Sequence, residues 1–178
     1  KVRTPESNYW VGFIAADGAI IDLKKDINKK LRLSITIDRK DQKHLNKLKI
    51  LLRGGRISTW DFSKYNNKHK SKKVKNIIKG SISSKYQLDN TLICRDLVKL
   101  GVTPRKSHSF KPHKSLLYSN DFWRGIIDGD GNLTNLDKTR STNLMLGSGS
   151  INEIKSFKKY LLKSKIKIRT TQIRKGEY

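Results

Sequence analysis

The chain has 178 residues, and its 40 lysines and arginines outnumber 15 aspartates and glutamates, which gives a formal net charge of +25 and a pI near 10.3. This charge favours a polyanionic partner, and a nucleic acid is the first candidate because each neutralised phosphate releases counterions. The sequence has no apolar run long enough for a membrane-spanning helix, so we expect no membrane partner. Its single cysteine, Cys94, excludes an internal disulfide and a zinc site made of several cysteines.

The first predicted element is a helix over residues 8–16, where large apolar side chains recur at helical spacing. Gly12 and Ala16 lie four residues apart on another face of this helix. Small residues at that spacing let a second helix backbone approach closely. Asp17 and Gly18 follow, and the glycine is predicted to end the helix and to make a turn.

Two hairpins and two further helices are predicted to complete the first half of the chain. The clearest signal is the strict alternation of apolar and polar residues over 31–37, which indicates a strand with one buried face. In chain order, the predicted elements are strands at 19–23 and 31–37, a helix at 41–52, strands at 56–62 and 76–83, and a helix from Leu88 to Leu100.

The first helix and its Asp-Gly recur 113 residues later. Trp10, Gly12, Ile14, Asp17 and Gly18 return as Trp123, Gly125, Ile127, Asp130 and Gly131. A repeat of this kind predicts that the chain consists of two related halves. The second copy is followed by strands predicted at 132–136 and 143–147, a helix at 151–163 and a strand at 166–173.

These elements predict a mixed α/β (α+β) protein with two half-domains of the order αββαββα, related by a pseudo-two-fold axis. The half-domains are residues 1–101 and residues 120–178. Residues 102–119, which hold two of the three prolines and show little periodicity, are predicted to link them. Fewer residues follow the second copy than the first half uses, so the second half is expected to lack its last strand and helix.

The two repeated aspartates predict a metal site. If the copied helices pack side by side, Asp17 and Asp130 reach the same end of the interface, where partial negative charge from the helix termini makes a bound cation favourable. Mg²⁺ prefers carboxylate, carbonyl and water oxygens, and the carbonyls of Ala16 and Gly129 are further candidate ligands. Each Asp-Gly alone is compatible with an ordinary turn, but the pair favours metal-assisted hydrolysis of both strands of a duplex. The predicted interface residues are Gly12, Ala16, Gly125 and Gly129.

The two copies, WVGFIAADG at residues 10–18 and WRGIIDGDG at residues 123–131, resemble the paired LAGLIDADG motifs of homing endonucleases. The resemblance implies a monomer whose curved antiparallel sheets form a saddle over the major groove of double-stranded DNA. It also implies that the penultimate motif residues, Asp17 and Asp130, bind the catalytic metal.

The chain departs from the motif at its sixth letter, which is usually acidic and is Ala15 in the first copy and Asp128 in the second. We expect little catalytic loss from this change. The resemblance also implies a basic catalytic residue near the end of the fourth strand, which is assigned to Lys85, with an ordinary surface lysine as the alternative. Its counterpart is expected beyond the last residue of the chain. Asp41 and Ser150 are weaker candidates for a solvent network near the metals.

Alternation along the strands predicts which side chains face the DNA. With Leu33, Ile35 and Ile37 in the core, the intervening residues face the groove, where arginine reads guanine and hydroxyls and carboxylates adapt to other base edges. The predicted DNA-facing residues are Ile21, Leu23, Lys25, Arg32, Ser34, Thr36, Asp38, Arg56, Lys75, Lys79, Ser81, Thr134, Leu136 and Lys138.

The sequence therefore predicts a site-specific double-strand DNA endonuclease that uses Mg²⁺ or another divalent cation such as Mn²⁺ or Ca²⁺. Two alternatives stay open. One is an RNA-binding intron maturase, for which the partner is intron RNA. The other is a DNA-binding regulator that has the same fold without cleavage.

Overall fold

The computed structural model describes residues 4–23, 30–61, 82–136, 141–166 and 168. The helices are α1 (Pro5–Asp17), α2 (Gln42–Leu51), α3 (Thr91–Lys99), α4 (Asn120–Asp130) and α5 (Ile151–Lys163). The strands are β1 (Gly18–Asp22), β2 (Leu31–Asp38), β3 (Arg56–Asp61), β4 (Ile82–Asp89), β5 (Gly131–Leu136) and β6 (Ser141–Leu146). Within the described residues, no helix is long and apolar enough to cross a membrane.

The strands form two antiparallel sheets. The first has the order β1-β2-β4-β3, and β5 pairs with β6 in the second. Alternation along the first sheet buries one face, on which Leu33, Ile35 and Tyr86 are at most 1% exposed. We call the opposite side of this sheet its outer face.

Helix α1 begins earlier than the apolar pattern predicted. Thr4 caps its N-terminus, because the Thr4 hydroxyl accepts a hydrogen bond from the Ser7 amide while the Ser7 hydroxyl accepts one from the Thr4 amide. Pro5 follows at the first helical position, where its missing amide hydrogen costs nothing. Local capping therefore adds a turn that hydrophobic periodicity could not reveal.

Both motif helices pass directly into a strand, so the predicted turn at each Asp-Gly is wrong. Gly18 has extended backbone angles, φ −87° and ψ 156°, and is the first residue of β1. Glycine is required there by space, because a Cβ atom would lie 2.6 Å from the carbonyl oxygen of Ile14. The same holds at Gly131, where a Cβ atom would lie 2.4 Å from the carbonyl oxygen of Ile127.

Strand β4 is described over Ile82–Asp89 and so ends six residues beyond its predicted end at residue 83. Residues 76–81 of the predicted strand lie outside the described residues. Ser84, Tyr86 and Leu88 alternate on its buried side. Leu88 was predicted to begin the next helix and is instead the last inward residue of the strand. Helix α3 starts after Asn90, whose side chain accepts a hydrogen bond from the Ile93 amide at 3.1 Å.

The segment between the halves is part of the core and not a simple linker. Val102, Phe110 and Leu116 are at most 2% exposed. The Ser150 hydroxyl, which is also buried, donates to the Phe110 carbonyl at 2.6 Å. These buried contacts therefore hold the whole segment, including its polar side chains, in a fixed position against the surrounding helices.

Candidate active site and nucleic-acid interface

Helices α1 and α4 pack backbone to backbone through the repeated small residues. A Cβ atom at Gly12 would lie 2.0 Å from the Phe122 carbonyl oxygen, and one at Gly125 would lie 2.0 Å from the Tyr9 carbonyl oxygen. A Cβ atom at Gly129 would lie 2.5 Å from that of Ala16. Any larger side chain at these three glycines would separate the helices.

This packing brings Asp17 and Asp130 to the same end of the helix pair. Both side chains keep solvent access, but the protein around them displaces part of their hydration and raises the pKa of each carboxyl. Repulsion from Asp130 adds to the raised pKa of Asp17, and the charge of Lys106 opposes the rise at both. A cation shared by the two carboxylates would offset the repulsion between their negative charges.

Lys106 is the residue at this site that sequence reasoning missed. Its Nζ donates to the carbonyl oxygen of Ala16 at 3.1 Å, so one of the predicted metal-binding carbonyls already has a partner. Burial lowers the pKa of Lys106, while the nearby Asp130, Glu153 and Asp17 oppose that change. The sequence of the connecting segment held one weak indication that Lys106 lies near the core, which is that the apolar residues Val102 and Phe110 flank it.

A cavity of about 320 Å³ opens beside Asp130 and Lys106. Glu153, 4% exposed, is one of its walls. Ser148 donates to Glu153 Oε2 at 2.6 Å, whereas Glu153 Oε1 is buried and has no hydrogen-bond partner among the described residues. Burial raises the pKa of Glu153, and the charge of Asp130 raises it further. The full lining is Ala15, Ala16, Lys106, Ser107, Phe110, Asp130, Gly147, Ser148, Gly149 and Glu153.

Lys85 lies on the outer face of the first sheet, directly opposite Thr36 in β2 and Ser58 in β3. Its neighbour Tyr86 belongs to the row of the sheet in which Ile35 pairs with Gly18, the residue after Asp17. The catalytic role of Lys85 stays a prediction, and Lys106 is a further lysine near the two carboxylates. Ser150, a candidate for the solvent network, is fully buried under Phe110 and cannot contact solvent, while Asp41 is exposed.

The outer face of the first sheet carries most of the described residues that were predicted to face DNA. Ile21 and Leu23 are each 38% exposed, and Thr36 and Asp38 are also exposed. Ser34 shares this face but is only 6% exposed, because its short side chain lies between neighbouring strands, so its assignment as a base contact is wrong. Arg32 and Arg56 lie on the same face. Lys25, Lys75, Lys79, Ser81 and Lys138 lie outside the described residues.

The same face holds residues that the misplaced fourth strand concealed. Gln87 and Asp89 in β4, with Ser58 and Trp60 in β3, point to this side by strand alternation. Trp60 is 49% exposed, on a strand at the sheet edge. In the second sheet, Thr134 donates to the Asn143 carbonyl at 3.3 Å, and Leu136 pairs with Ser141 through the backbone.

The carboxylate oxygens at the helix ends are suitable ligands for a hard cation that also binds the substrate. Among the described residues, no three His, Cys, Asp or Glu side chains form a group able to hold a metal alone. Two carboxylates are too few for a dedicated protein cage. They suit Mg²⁺, which keeps several waters and commonly takes its remaining ligands from phosphates.

No family model matches the sequence, and no curated protein matches it. Solved structures do match. The LAGLIDADG meganuclease I-AabMI, crystallised with uncleaved DNA, superposes with a TM-score of 0.50 over 97% of this chain and 76% of its own, at 14% identity. The chain has the LAGLIDADG fold. The meganuclease I-SmaMI, bound to uncleaveable DNA, covers 98% of this chain and 75% of its own, with a TM-score of 0.49 and 15% identity.

In the LAGLIDADG fold of this chain, α1 and α4 are the two motif helices, and they pack together more extensively than any other pair of described elements. Their C-terminal ends carry Asp17 and Asp130. Each helix then feeds the first strand of its own sheet. The carboxylates and the sheets therefore keep a fixed relation, because a single glycine joins each helix to its strand.

Proposed function

We propose that this protein is a metal-dependent, site-specific endonuclease that cleaves both strands of DNA as a monomer. The observation that carries the proposal is the convergence of Asp17 and Asp130 at one end of a glycine-packed interface, next to Lys106. One chain supplies both carboxylates, so no second copy is needed. Intron RNA and a non-cleaving regulatory role have no observation in their favour beyond the charge of the chain.

Double-stranded DNA is the substrate that the rest of the molecule fits. A net charge of +25 favours phosphate contacts, and the outer face of the first sheet presents arginine, lysine, hydroxyl and amide groups together. The solved structures with this fold that we compared, I-AabMI and I-SmaMI, were both crystallised with DNA. Phosphate contacts would position the duplex, and the sheet side chains would read base edges.

Asp17 and Asp130 would hold the divalent cation, Mg²⁺ being the best fit to their oxygens. When bound, such a cation activates water and stabilises the leaving oxygen. The Ala16 and Gly129 carbonyls are further candidate oxygens on the same helix ends, and that of Ala16 already accepts a hydrogen bond from Lys106. Lys106 donates from Nζ at this site, and its positive charge would offset charge that develops on a phosphate placed against the two carboxylates.

The test is cleavage of a randomised duplex library in Mg²⁺, followed by sequencing of the cut ends. The parent chain is expected to cut a defined sequence. Asp17→Asn and Asp130→Asn should each lose cleavage by at least about a hundredfold while binding persists, because each removes a charged metal ligand. Asp96→Asn, at an exposed position of α3, is the matched control and should cut normally.

Unchanged cleavage in either motif variant would refute the metal assignment. Specific binding without cleavage by the parent chain would instead indicate the DNA-binding regulator. Specific capture of a structured intron RNA without DNA cleavage would indicate the maturase.

A further inference from the structure

Two arginines on the outer face are held in the same manner by side chains of β4. Arg32 donates from Nε and Nη2 to the two carboxylate oxygens of Asp89, with the Nη2 bond at 2.8 Å. Arg56 donates from Nε and Nη2 to the Gln87 side-chain oxygen at 3.4 and 3.3 Å. In the sheet register, each arginine lies directly opposite its acceptor.

Both contacts use the same edge of the guanidinium. Arginine has five N–H donors in a planar fork, and contacts through Nε and one Nη2 hydrogen leave the other edge, formed by Nη1 and Nη2, available. That remaining edge can form two parallel hydrogen bonds to O6 and N7 of guanine in the major groove. Asp89 and Gln87 therefore do not compete with a base for the donors of Arg32 and Arg56.

The acidic partner is unexpected on a surface that binds phosphates by charge. The Asp89 side chain is 55% exposed and adds a negative charge to the proposed DNA-binding face. Its hydrogen bond with Arg32 lowers the pKa of Asp89, so the carboxylate stays ionised at neutral pH. The negative charge of Asp89 weakens the sequence-independent attraction of this face to DNA phosphates. A role in orienting Arg32 would explain why an acid is present here.

Building on the proposed function, we infer that Arg32 and Arg56 each read a guanine in the DNA target and that Asp89 and Gln87 are the positioning residues that aim them. Holding an arginine in its binding geometry before contact reduces the side-chain entropy lost on binding. Asp89 forms the stronger of the two pairs, because a carboxylate accepts both bonds on separate oxygens.

The sheet geometry also limits where the two guanines lie. Arg32 and Arg56 are on opposite sides of β4, and their partners are two residues apart along it. With strands about 4.8 Å apart and a rise of about 3.4 Å per residue, the arginine backbones are separated by roughly 12 Å. Along a duplex with a rise of about 3.4 Å per base pair, a backbone separation of this size spans about three to four steps, so we place both G·C pairs in one half of the target.

The experiment selects bound duplexes from a randomised library in EDTA, so that nothing is cut, and compares variants by the bases they enrich. Arg32→Lys and Arg56→Lys keep the charge and lose the fork. Each should reduce guanine preference at one base pair by roughly tenfold or more while leaving preferences elsewhere unchanged. Arg95→Lys, at an exposed position of α3, is the matched control and should change no base preference.

Asp89→Ala separates positioning from charge. It should lower guanine preference at the Arg32-dependent pair by about threefold to tenfold, yet tighten binding to a non-specific duplex, because a negative charge has been removed. Asp96→Ala removes the same charge from α3 and should tighten non-specific binding without changing base preference. Gln87→Ala should act on the Arg56-dependent pair, by a smaller factor.

A parent chain that enriches a sequence whose G·C pairs do not respond to the arginine variants would overturn this inference and leave the proposed DNA-binding function standing. Arginine variants that lose guanine preference while Asp89→Ala and Gln87→Ala do not would overturn the positioning role alone. A parent chain that enriches no sequence would overturn the proposed function and this inference together.

Discussion

The two hairpins that follow the motif helices each pair two aliphatic residues at the third position of the first strand, but in opposite environments. In the first, Ile20 pairs with Leu33, and these side chains are 4% and 0% exposed. In the second, Leu133 pairs with Leu144 at the equivalent place, with exposures of 66% and 41%. Within the described residues, β2 has β4 as a second neighbour, whereas β6 pairs only with β5. The motif helix and its hairpin thus form locally, and burial depends on what the rest of each half supplies.

The contrast reflects a difference between the buried cores of the two halves. The described core of the first half extends over two hairpins and α2, where Leu45 and Leu48 are fully buried. The described core of the second half is chiefly aromatic, with Trp123 against Phe157 at a ring distance of 5.0 Å.

The largest expected effect comes from truncating the same residue type in the two hairpins. Leu33→Ala should lower the free energy of unfolding by about 2–5 kcal/mol, because it removes buried methyl groups and leaves a cavity. Leu144→Ala should cost about 0.5 kcal/mol or less, since the side chain is already largely in water. Urea unfolding followed by circular dichroism measures both. Equal losses would mean that the second hairpin is covered in solution as well as the first.

The cavity beside Asp130 makes the candidate active site asymmetric, and substitution of Glu153, which lines the cavity, tests that asymmetry. Burial raises the pKa of Glu153, so its stabilising contribution is present below the ordinary Glu value of about 4.3 and is lost as the pH rises through the folded-state pKa. Glu153→Gln has no such loss. The variant should therefore gain stability over the parent chain as the pH rises from about 4 upward, measured as urea midpoints across that range.

Cleavage by Glu153→Gln provides a second measurement. In the proposed mechanism Lys106 acts through its positive charge, so we expect cleavage to fall as the pH rises through the pKa of Lys106. The charge of Glu153 raises that pKa, so Glu153→Gln should lower it and move the fall in cleavage to lower pH. Glu6→Gln, at an exposed position near the start of α1, is the control and should leave both profiles unchanged. A variant whose stability and pH profile both match the parent chain would show that Glu153 is well solvated in solution.

Most of the fold was predictable, because the signals for its elements are local. The alternation over Leu31–Asp38 and the helical spacing over Ile151–Lys163 each located an element to within a residue or two. The end of the fourth strand was misplaced because serine and glutamine, here Ser84 and Gln87, are not residue types that indicate a strand by themselves. Their environment comes from pairing with β2 and β3, which lie far away in the sequence.

The two carboxylates could be predicted because they repeat, and the lysine could not because it does not. Asp17 and Asp130 each follow a small residue and precede a glycine. Lys106 lies in a segment without periodicity, and it reaches Ala16 only because Val102 and Phe110 anchor that segment in the core. Arg32 was predicted from alternation, but its partner Asp89 was hidden by the error in β4.

The smallest expected effect concerns the sixth motif letter, which is Ala15 in one copy and Asp128 in the other. Asp128 Oδ2 accepts a hydrogen bond of 2.8 Å from the Tyr9 hydroxyl, across the interface. His44 Nε2 lies 2.9 Å from the same hydroxyl and must be the donor, since the one hydroxyl proton of Tyr9 is already given to Asp128. In the opposite copy, the residues at the positions of Tyr9 and Asp128 are Phe122 and Ala15. A hydroxyl and a carboxylate are thus present together in one pair and absent together in the other.

If the sixth letter serves this bond and not the metal, Tyr9→Phe and Asp128→Ala should each cost about 0.5–1.5 kcal/mol of stability and leave cleavage within about twofold of the parent rate. The double variant should cost less than the sum, because both changes remove the same bond. Tyr118→Phe, at an exposed tyrosine, controls for loss of a hydroxyl and should be neutral. Strictly additive costs would show that Tyr9 and Asp128 are not coupled by this bond. A large loss of cleavage in Asp128→Ala alone would place Asp128 in the chemistry and make the two motif copies functionally unequal.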